Sequence, residues 1–460
     1  MLRVRWAVFG LLACGGGGGG DDGAGSTGSG GPVSFASSGE AASEPTGEGS
    51  GGGSGETGGS SSTTGLTGET ASATTGDGES STGGPAPSED EVLMRAAIAG
   101  EVDPGDALAT IAGRGGLPVI TTSESFLFGC LCGPGAWNLS GDHNRWTDAP
   151  LQATGPLLWA EAEVAAADGS LYKFHETGGD VWIADPLGRR YGFDDFGRYS
   201  LVRASAAHLE RWYAMAGEGL QPRDLQVWVP QGGRFSHALY VHDGQNLFDP
   251  EAIWGGWRLQ DSVPPGVLVV GIDNTPARMD EYTHVPDSLQ GQVLGGQGDQ
   301  YADFVENTVR PRMEAAYGAA EVVGTMGSSL GGLIAYAIAD RFPERYAMAI
   351  SLSGTMGWGS IEQHNETMIE RYAAAGHRAF ALYLDSGGQG VCADADADGI
   401  EDDGDANDNY CENLQLKGEL EAVGYVEGSD LWYVHDPAAE HSELFWADRV
   451  GVPMATFAGL

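Results

Sequence analysis

Basic residues are scarce in this chain. Its 460 residues include 23 Lys+Arg against 65 Asp+Glu, a formal net charge of −42, and the only lysines are Lys173 and Lys417. Nucleic acid is excluded as a partner, because such binding rests on cations that neutralise phosphates. Anionic lipid is disfavoured as a surface for the folded body for the same reason. Acidity with so little lysine fits salty surroundings. Cysteine is also sparse, at five. The first apolar stretch, residues 6–13, is far too short to span a bilayer. Glycine, by contrast, is abundant at 75 and unevenly placed, so part of the chain is expected to be non-globular. The length allows two or three domains.

Residues 1–14 read MLRVRWAVFGLLAC: Arg3 and Arg5, a short apolar core, then Leu11-Leu12-Ala13-Cys14. This resembles a bacterial lipoprotein signal with its lipobox. The resemblance implies lipidation of Cys14, export, and a lipid anchor in the cell envelope at the outer membrane or cell surface. The anchor would be the only membrane contact. Residues 15–87 are rich in Gly, Ser and Thr, with nine acidic residues and no basic one. Such a stretch cannot bury enough apolar surface to offset its ordering entropy and is expected to be a flexible tether. The tether does not carry the charge, since residues 88–460 alone hold −35. If Cys14 is lipidated, Cys130, Cys132, Cys392 and Cys411 remain. Cys392 and Cys411 are expected to pair across one insertion. Cys130 and Cys132, one residue apart, are left open between pairing, staying reduced and bridging elsewhere.

Residues 88–205 form the next unit. Helical spacing runs over 88–114, followed by strand-like runs at 126–132, 159–164, 170–176 and 180–184, a small β-sandwich pattern. Residues 139–146 (LSGDHNRW), 171–174 (LYKF) and 182–186 (WIADP) resemble the immunoglobulin-like module that precedes enterochelin esterases and, as a glycogen-binding type, isoamylases. By that resemblance Trp146, Trp159 and Trp182 are candidates for stacking on sugar rings. Their other reading is sandwich core, which large aromatics commonly fill.

From about 206 to 460 buried strands alternate with helices, which predicts an α/β fold with a mostly parallel sheet. Within it, Gly327-Ser328-Ser329-Leu330-Gly331-Gly332 places G-x-S-x-G between a predicted strand and a predicted helix. Such a turn lifts a serine hydroxyl into a cleft, and the Leu330 N–H at the helix start can stabilise an oxyanion. Ser329 is therefore the expected nucleophile. The base must follow it, and His441, in the loop after the last strand, is preferred over His435 at the strand end.

Residues 240–249 (YVHDGQNLFD), Gly271-Ile272-Asp273-Asn274 with Arg278, Glu281 and Tyr282, Gly327 to Gly332, and His441 with Glu443, Trp446 and Arg449 together resemble the esterase family of α/β hydrolases. That family includes enterochelin, feruloyl and acetyl-xylan esterases and mycolyltransferases. The resemblance implies an α/β-hydrolase domain and a serine carboxylic ester hydrolase. It implies that backbone N–H groups of Gly244 and Gln245 join Leu330 in an oxyanion hole, and that Arg278 and Glu281 hold loops by ion pairing. Asp243 precedes the nucleophile and reads as a loop-fixing residue. For the acid, Asp385 at the end of the penultimate strand is the first choice. Asp408 and Glu412, where an acidic insertion returns, are the alternatives. No organic cofactor is expected, and the chain is expected to be a monomer. Substrates would be acyl or feruloyl esters of carbohydrates, or siderophore-type lactones. The rivals are acyl transfer and a calcium-stabilised carbohydrate-binding protein on a hydrolase scaffold.

The insertion, residues 390–412, contains D-x-D-x-D-G at Asp394, Asp396, Asp398 and Gly399, with Asp402 and Asp405 beyond. Alternate carboxylates can converge on a hard cation, and the glycine permits the sharp turn. The run resembles thrombospondin type 3 and EF-hand-like loops, which implies a structural Ca2+.

Overall fold

The structure, a computed structural model, describes residues 86–403 and 408–460, without the side chains of Asp402 and Asp403. The signal with Cys14, the tether up to residue 85, Asp405 and the Asp402 carboxylate lie outside the described residues. Among the described residues no helix is long and apolar enough to cross a membrane.

The described chain opens with helices α1 (Glu89–Ala99) and α2 (Pro104–Arg114). Ser88 caps α1 by accepting the Glu91 N–H, and Asp103 caps α2 with Pro104 in its first turn. They enclose a small core of Met94, Leu108, Ile111, Leu127 and Leu157.

A β-sandwich follows. One sheet has four strands, including Phe126–Cys130 and Leu157–Ala162. The other contains β1 (Trp137–Gly141) and β2 (Leu171–Glu176). Phe126 and Phe128 from the first sheet meet Leu139, Tyr172 and Phe174 from the second.

The second sheet does not stop at the sandwich. It continues through β3 (Arg190–Asp194), β4 (Gly197–Leu201), β5 (His208–Met215) and β6 (Arg223–Val229), then into β7 (His237–His242) and β8 (Val267–Ile272). It ends with β9 (Val322–Ser328), β10 (Met348–Leu352), β11 (Ala381–Gly387) and β12 (Leu431–Asp436). These strands belong to one 14-stranded sheet with spatial order β12-β11-β10-β9-β7-β8-β6-β5-β3-β4-β2-β1. The join between the halves is the β3–β5 pairing, Leu209 opposite Tyr191. The expected boundary at 205/206 is therefore not a break in the hydrogen-bonded sheet.

From β8 to β12 neighbouring strands are parallel. Each of β8, β10 and β11 is buried along its whole length, as expected for strands covered on both faces. One face carries α5 (Leu330–Arg341), and the other packs Trp446, Met454 and Phe457. The helical stretch before β9 is divided: Gly298–Phe304, a π turn at Val305–Val309, then Arg310–Tyr317. Pro311 has no N–H to donate, so the regular ladder cannot run through it. The C-terminal ends of the parallel strands lie along one edge of the sheet, where open α/β folds bind ligands.

Candidate active site

Ser329 follows β9 directly, with φ +56 and ψ −126, a sparsely populated conformation for a non-glycine residue. Its neighbours explain how so sharp a turn fits. A Cβ at Gly327 would come 2.4 Å from the Gly331 carbonyl, and one at Gly332 would come 2.3 Å from Ser351 Oγ. The turn is pinned by Ser329 N–H on Leu352 O (3.0 Å) and by Thr355 N–H on Ser329 O (3.2 Å). Ser329 Oγ is buried and has no hydrogen-bond partner among the described residues. The hydroxyl is thus held by backbone geometry and left uncommitted.

His441 sits in the loop after β12. Its Nδ1 donates to Asp408 Oδ1 at 2.9 Å, and its ring meets Trp446 edge-on at 4.9 Å. With Nδ1 engaged, Nε2 is the nitrogen that can take up a proton. Asp408 is buried, and its other oxygen accepts from Gly387 N–H and from Arg449 at 3.2 Å. Burial pushes its pKa up, but the His441 hydrogen bond and the His441 and Arg449 charges outweigh that and hold it below the usual range.

The carboxylate on His441 is therefore Asp408, not Asp385. Asp385 turns to the neighbouring strand end instead, where its Oδ1 accepts from Ser353 N–H and Arg449, each at 3.1 Å. Burial raises its pKa to about 6 despite the Arg449 charge. Glu412 is committed elsewhere, accepting the Gly357 N–H. The chain leaves β11, runs through the insertion and returns across Gly387. A Cβ at that glycine would lie 2.4 Å from Asp408 Oδ2 and 2.6 Å from Ala439 O. Asp408 and Asn409 both have positive φ (+73 and +55), a conformation that Asp and Asn tolerate better than most residues. Asp-Asn before a helix, opposite a Gly at a strand end, is the signal that could have favoured Asp408.

The turn after β7 supplies the second side of the site. Asp243 has φ +61, and Arg278 grips both carboxylate oxygens at 2.8 Å while Asn274 donates at 2.6 Å. It holds the loop, as its place in the sequence suggested. At Gly244 a Cβ would come within 2.6–2.7 Å of the Gly271–Ile272 backbone, so the turn lies directly on the end of β8. Inside this turn the N–H groups of Asn246 and Leu247 are the bonded ones. Those of Gly244 and Gln245 are not used by it, nor is the Leu330 N–H by the first turn of α5. Asn246 donates to Glu443 Oε1 at 3.1 Å, which joins this turn to the start of α7 (Glu443–Arg449), two residues after His441.

His242 is buried between Tyr301 Oη (3.0 Å) and Thr325 Oγ1 (3.1 Å). Burial pushes its pKa down to about 3, so it is neutral scaffold. Glu281 pairs with Arg223 at 2.7 Å. His435 contacts Gly388 O at 2.7 Å and stacks on Tyr410.

Both cysteine pairs are disulfides, Cys130–Cys132 and Cys392–Cys411. In the insertion, ligand oxygens of Asp394, Asp396 and Asp398 lie within 4.8 Å of one another. Asp394 accepts from the Asp398 and Gly399 N–H groups at 3.0 Å, and Ser360 donates to Asp398. Hard oxygen donors at this spacing suit a calcium ion, whose remaining ligands would have to come from elsewhere.

The three sandwich tryptophans separate. Trp146 and Trp182 are exposed neighbours 6.2 Å apart, with His175 stacked on Trp182 at 4.0 Å. Trp159 lies in the other sheet and donates to Thr154 Oγ1 at 3.3 Å.

A strand-to-helix serine, a histidine carried by a late loop and a buried carboxylate at the C-terminal edge of a parallel sheet define the α/β-hydrolase class. Residues 220–446, just under half of the chain, match the family described as "Esterase: Putative esterase". The Bacillus subtilis (strain 168) protein named "Uncharacterized protein YbbA" is 31% identical over 124 residues, 26% of this chain and 49% of that protein. The chain thus spans about half the length of this curated relative. Among solved structures, the ferric enterobactin esterase of Salmonella typhimurium aligns at 14% identity and TM-score 0.40, over 73% of this chain and 93% of that one. An IroE-like serine hydrolase of Shewanella oneidensis aligns at 18% identity and TM-score 0.41, over 54% of this chain and 78% of that one. A siderophore hydrolase of Aspergillus nidulans aligns at 18% identity and TM-score 0.40, over 55% and 94%.

Proposed function

We propose that this protein is a serine carboxylic ester hydrolase with Ser329 as nucleophile, His441 as base and Asp408 as the acid that orients it. The observation that carries this reading is the 2.9 Å Asp408–His441 bond at the same edge of the parallel sheet as a serine held at positive φ with an uncommitted hydroxyl. His441 Nε2 takes the Ser329 proton as Oγ attacks the ester carbonyl carbon. The oxyanion of the tetrahedral intermediate is met by the N–H groups of Leu330, Gly244 and Gln245. Collapse expels the alcohol, which takes the proton from His441, and leaves an acyl group on Ser329. Water, deprotonated by His441, then releases the carboxylic acid.

The substrate class is an acyl or feruloyl ester of a carbohydrate, or a siderophore-type lactone. The exposed Trp146–Trp182 pair supports contact of the front module with a sugar ring. In the same reading Asp394, Asp396 and Asp398 hold a structural calcium ion that serves the insertion and takes no part in the ester chemistry. Cys14 carries the lipid that tethers an exported enzyme to the cell envelope, and the chain acts as a monomer.

The test is hydrolysis of p-nitrophenyl butyrate by the purified chain, wild type beside Ser329→Ala. Cleavage that the substitution abolishes supports the reading. A Ser329→Ala protein that is as active as wild type contradicts it.

A further inference from the structure

Tryptophan is an odd choice at position 254. The residue has φ +50 and ψ +28, and Gly255 and Gly256 also have positive φ (+87 and +61). Three successive residues thus take the left-handed side of backbone space, and the first carries the largest side chain there is. Burial does not account for it, because Trp254 is 49% exposed. Its neighbour Trp257, at 2% exposure, is the one that serves the core.

The turn sits between the two sides of the site. Trp257 N–H donates to Asn246 O at 2.9 Å, and Leu259 N–H donates to Leu247 O at 2.8 Å. A Cβ at Gly256 would lie 2.9 Å from Asn246 O, so the backbones meet as closely as glycine permits. On its other flank the Ile253–Gly255 turn packs against α7, which begins two residues after His441. An ion pair between Asp249 and Arg198 (3.1 Å) fastens the loop to β4. Leu444 on α7 is 47% exposed and adds apolar surface on the same helix.

We infer that Trp254 is a specificity-determining residue whose indole face receives a ring of the ester substrate at the junction of the oxyanion turn and the His441 helix. The inference rests on the esterase reading above and deepens it. A flat π surface accepts either an aromatic ring or the apolar C–H face of a sugar ring. Strained residues held by surrounding structure cluster at ligand clamps, and the glycines and backbone bonds around Trp254 provide that hold.

The experiment compares kcat/KM of wild type, Trp254→Ala and Trp254→Phe on four esters. Ethyl butyrate has no ring, methyl cinnamate has one on the acyl side, 1-naphthyl acetate has one on the alcohol side, and an acetylated methyl glucoside supplies a sugar ring. Trp254→Ala should lose about ten-fold or more on at least one ring-bearing ester and change about two-fold or less on ethyl butyrate. Trp254→Phe should recover most of an aromatic-ring loss. The ester that suffers identifies the ring and its side. An equal change on all four substrates by both variants would mean a structural role and overturn the inference, as would no change on any. Ser329→Ala on ethyl butyrate runs alongside. Full activity there would mean that the esterase reading itself has failed, an outcome distinct from an unselective Trp254.

Discussion

Asp408 and Gly387 meet at the end of β11, where the Asp408 carboxylate accepts the Gly387 N–H and occupies the space that a Cβ at 387 would need. The acid proposed for the triad is thus carried by the returning insertion and seated by a glycine on the strand that it left. Gly387→Ala should push the carboxylate away from His441 without touching any reacting group. Misplacement by about 1 Å costs roughly 100-fold, so kcat should fall by about that much with the fold intact. Steady-state kinetics beside a thermal melt check this.

Asp408→Asn and Asp385→Asn should separate the two buried carboxylates. Asp408→Asn disturbs the His441 tautomer and should lower kcat by about 10⁴, with wild-type rates unrecovered at any pH. Asp385 does not touch His441, so Asp385→Asn should keep most of kcat. Equal losses in the two variants would contradict the assignment.

Arg449 donates from one nitrogen to Ser353 Oγ (2.8 Å), Asp385 and Asp408. Arg449→Met would leave two buried carboxylates facing each other without the shared cation. Removing one partner of a buried ion pair costs about 3–5 kcal/mol, and denaturant unfolding at pH 7 should show a loss of that size.

His242 links acid to stability. Its folded pKa, about 3, lies below its unfolded value of about 6.5. The unfolded chain therefore binds more protons as pH falls. The stability associated with neutral His242 is complete above about pH 6.5 and declines from there down towards pH 3. Its share of the slope is at most about 1.4 kcal/mol per pH unit. His242→Gln should flatten the stability curve between about pH 6 and pH 4 relative to wild type, measured by urea unfolding at fixed pH values. An unchanged slope would count against a neutral buried His242.

The calcium ion proposed for Asp394, Asp396 and Asp398 is expected to be separable from catalysis. Chelation should lower the melting temperature of wild type by roughly 3–6 °C, since an ion that binds only the folded state stabilises it by mass action. Asp396→Ala should melt near the chelated wild type and be insensitive to chelator. No shift on chelation would remove calcium from the account.

The site was legible in the sequence wherever its chemistry is written in contiguous residues. Gly327 to Gly331 specify the serine turn by local sterics, and His441 follows the last strand directly. Asp243 and Arg278 lie in neighbouring motifs and were each read as holding loops, but that they do so by pairing with each other, while Glu281 pairs with Arg223, was not legible. The acid was not legible in the same way, because it depends on where a long insertion returns. Asp385 marks a strand end in sequence, whereas Gly387 and Asp408 come together only in space. The continuous sheet across residue 205 was hidden for a related reason: its join pairs Tyr191 with Leu209, and strand pairing leaves no local trace. The state of Cys130 and Cys132 could not be read from their spacing either, and it is a bond.

The central claim is that Ser329 forms the covalent intermediate. Its most direct test is reaction of the purified chain with a p-nitrophenyl alkylphosphonate, followed by peptide mass mapping. The account predicts one adduct, on Ser329, absent from Ser329→Ala and formed in step with loss of esterase activity. An adduct on another residue, or full inactivation without modification of Ser329, would contradict it.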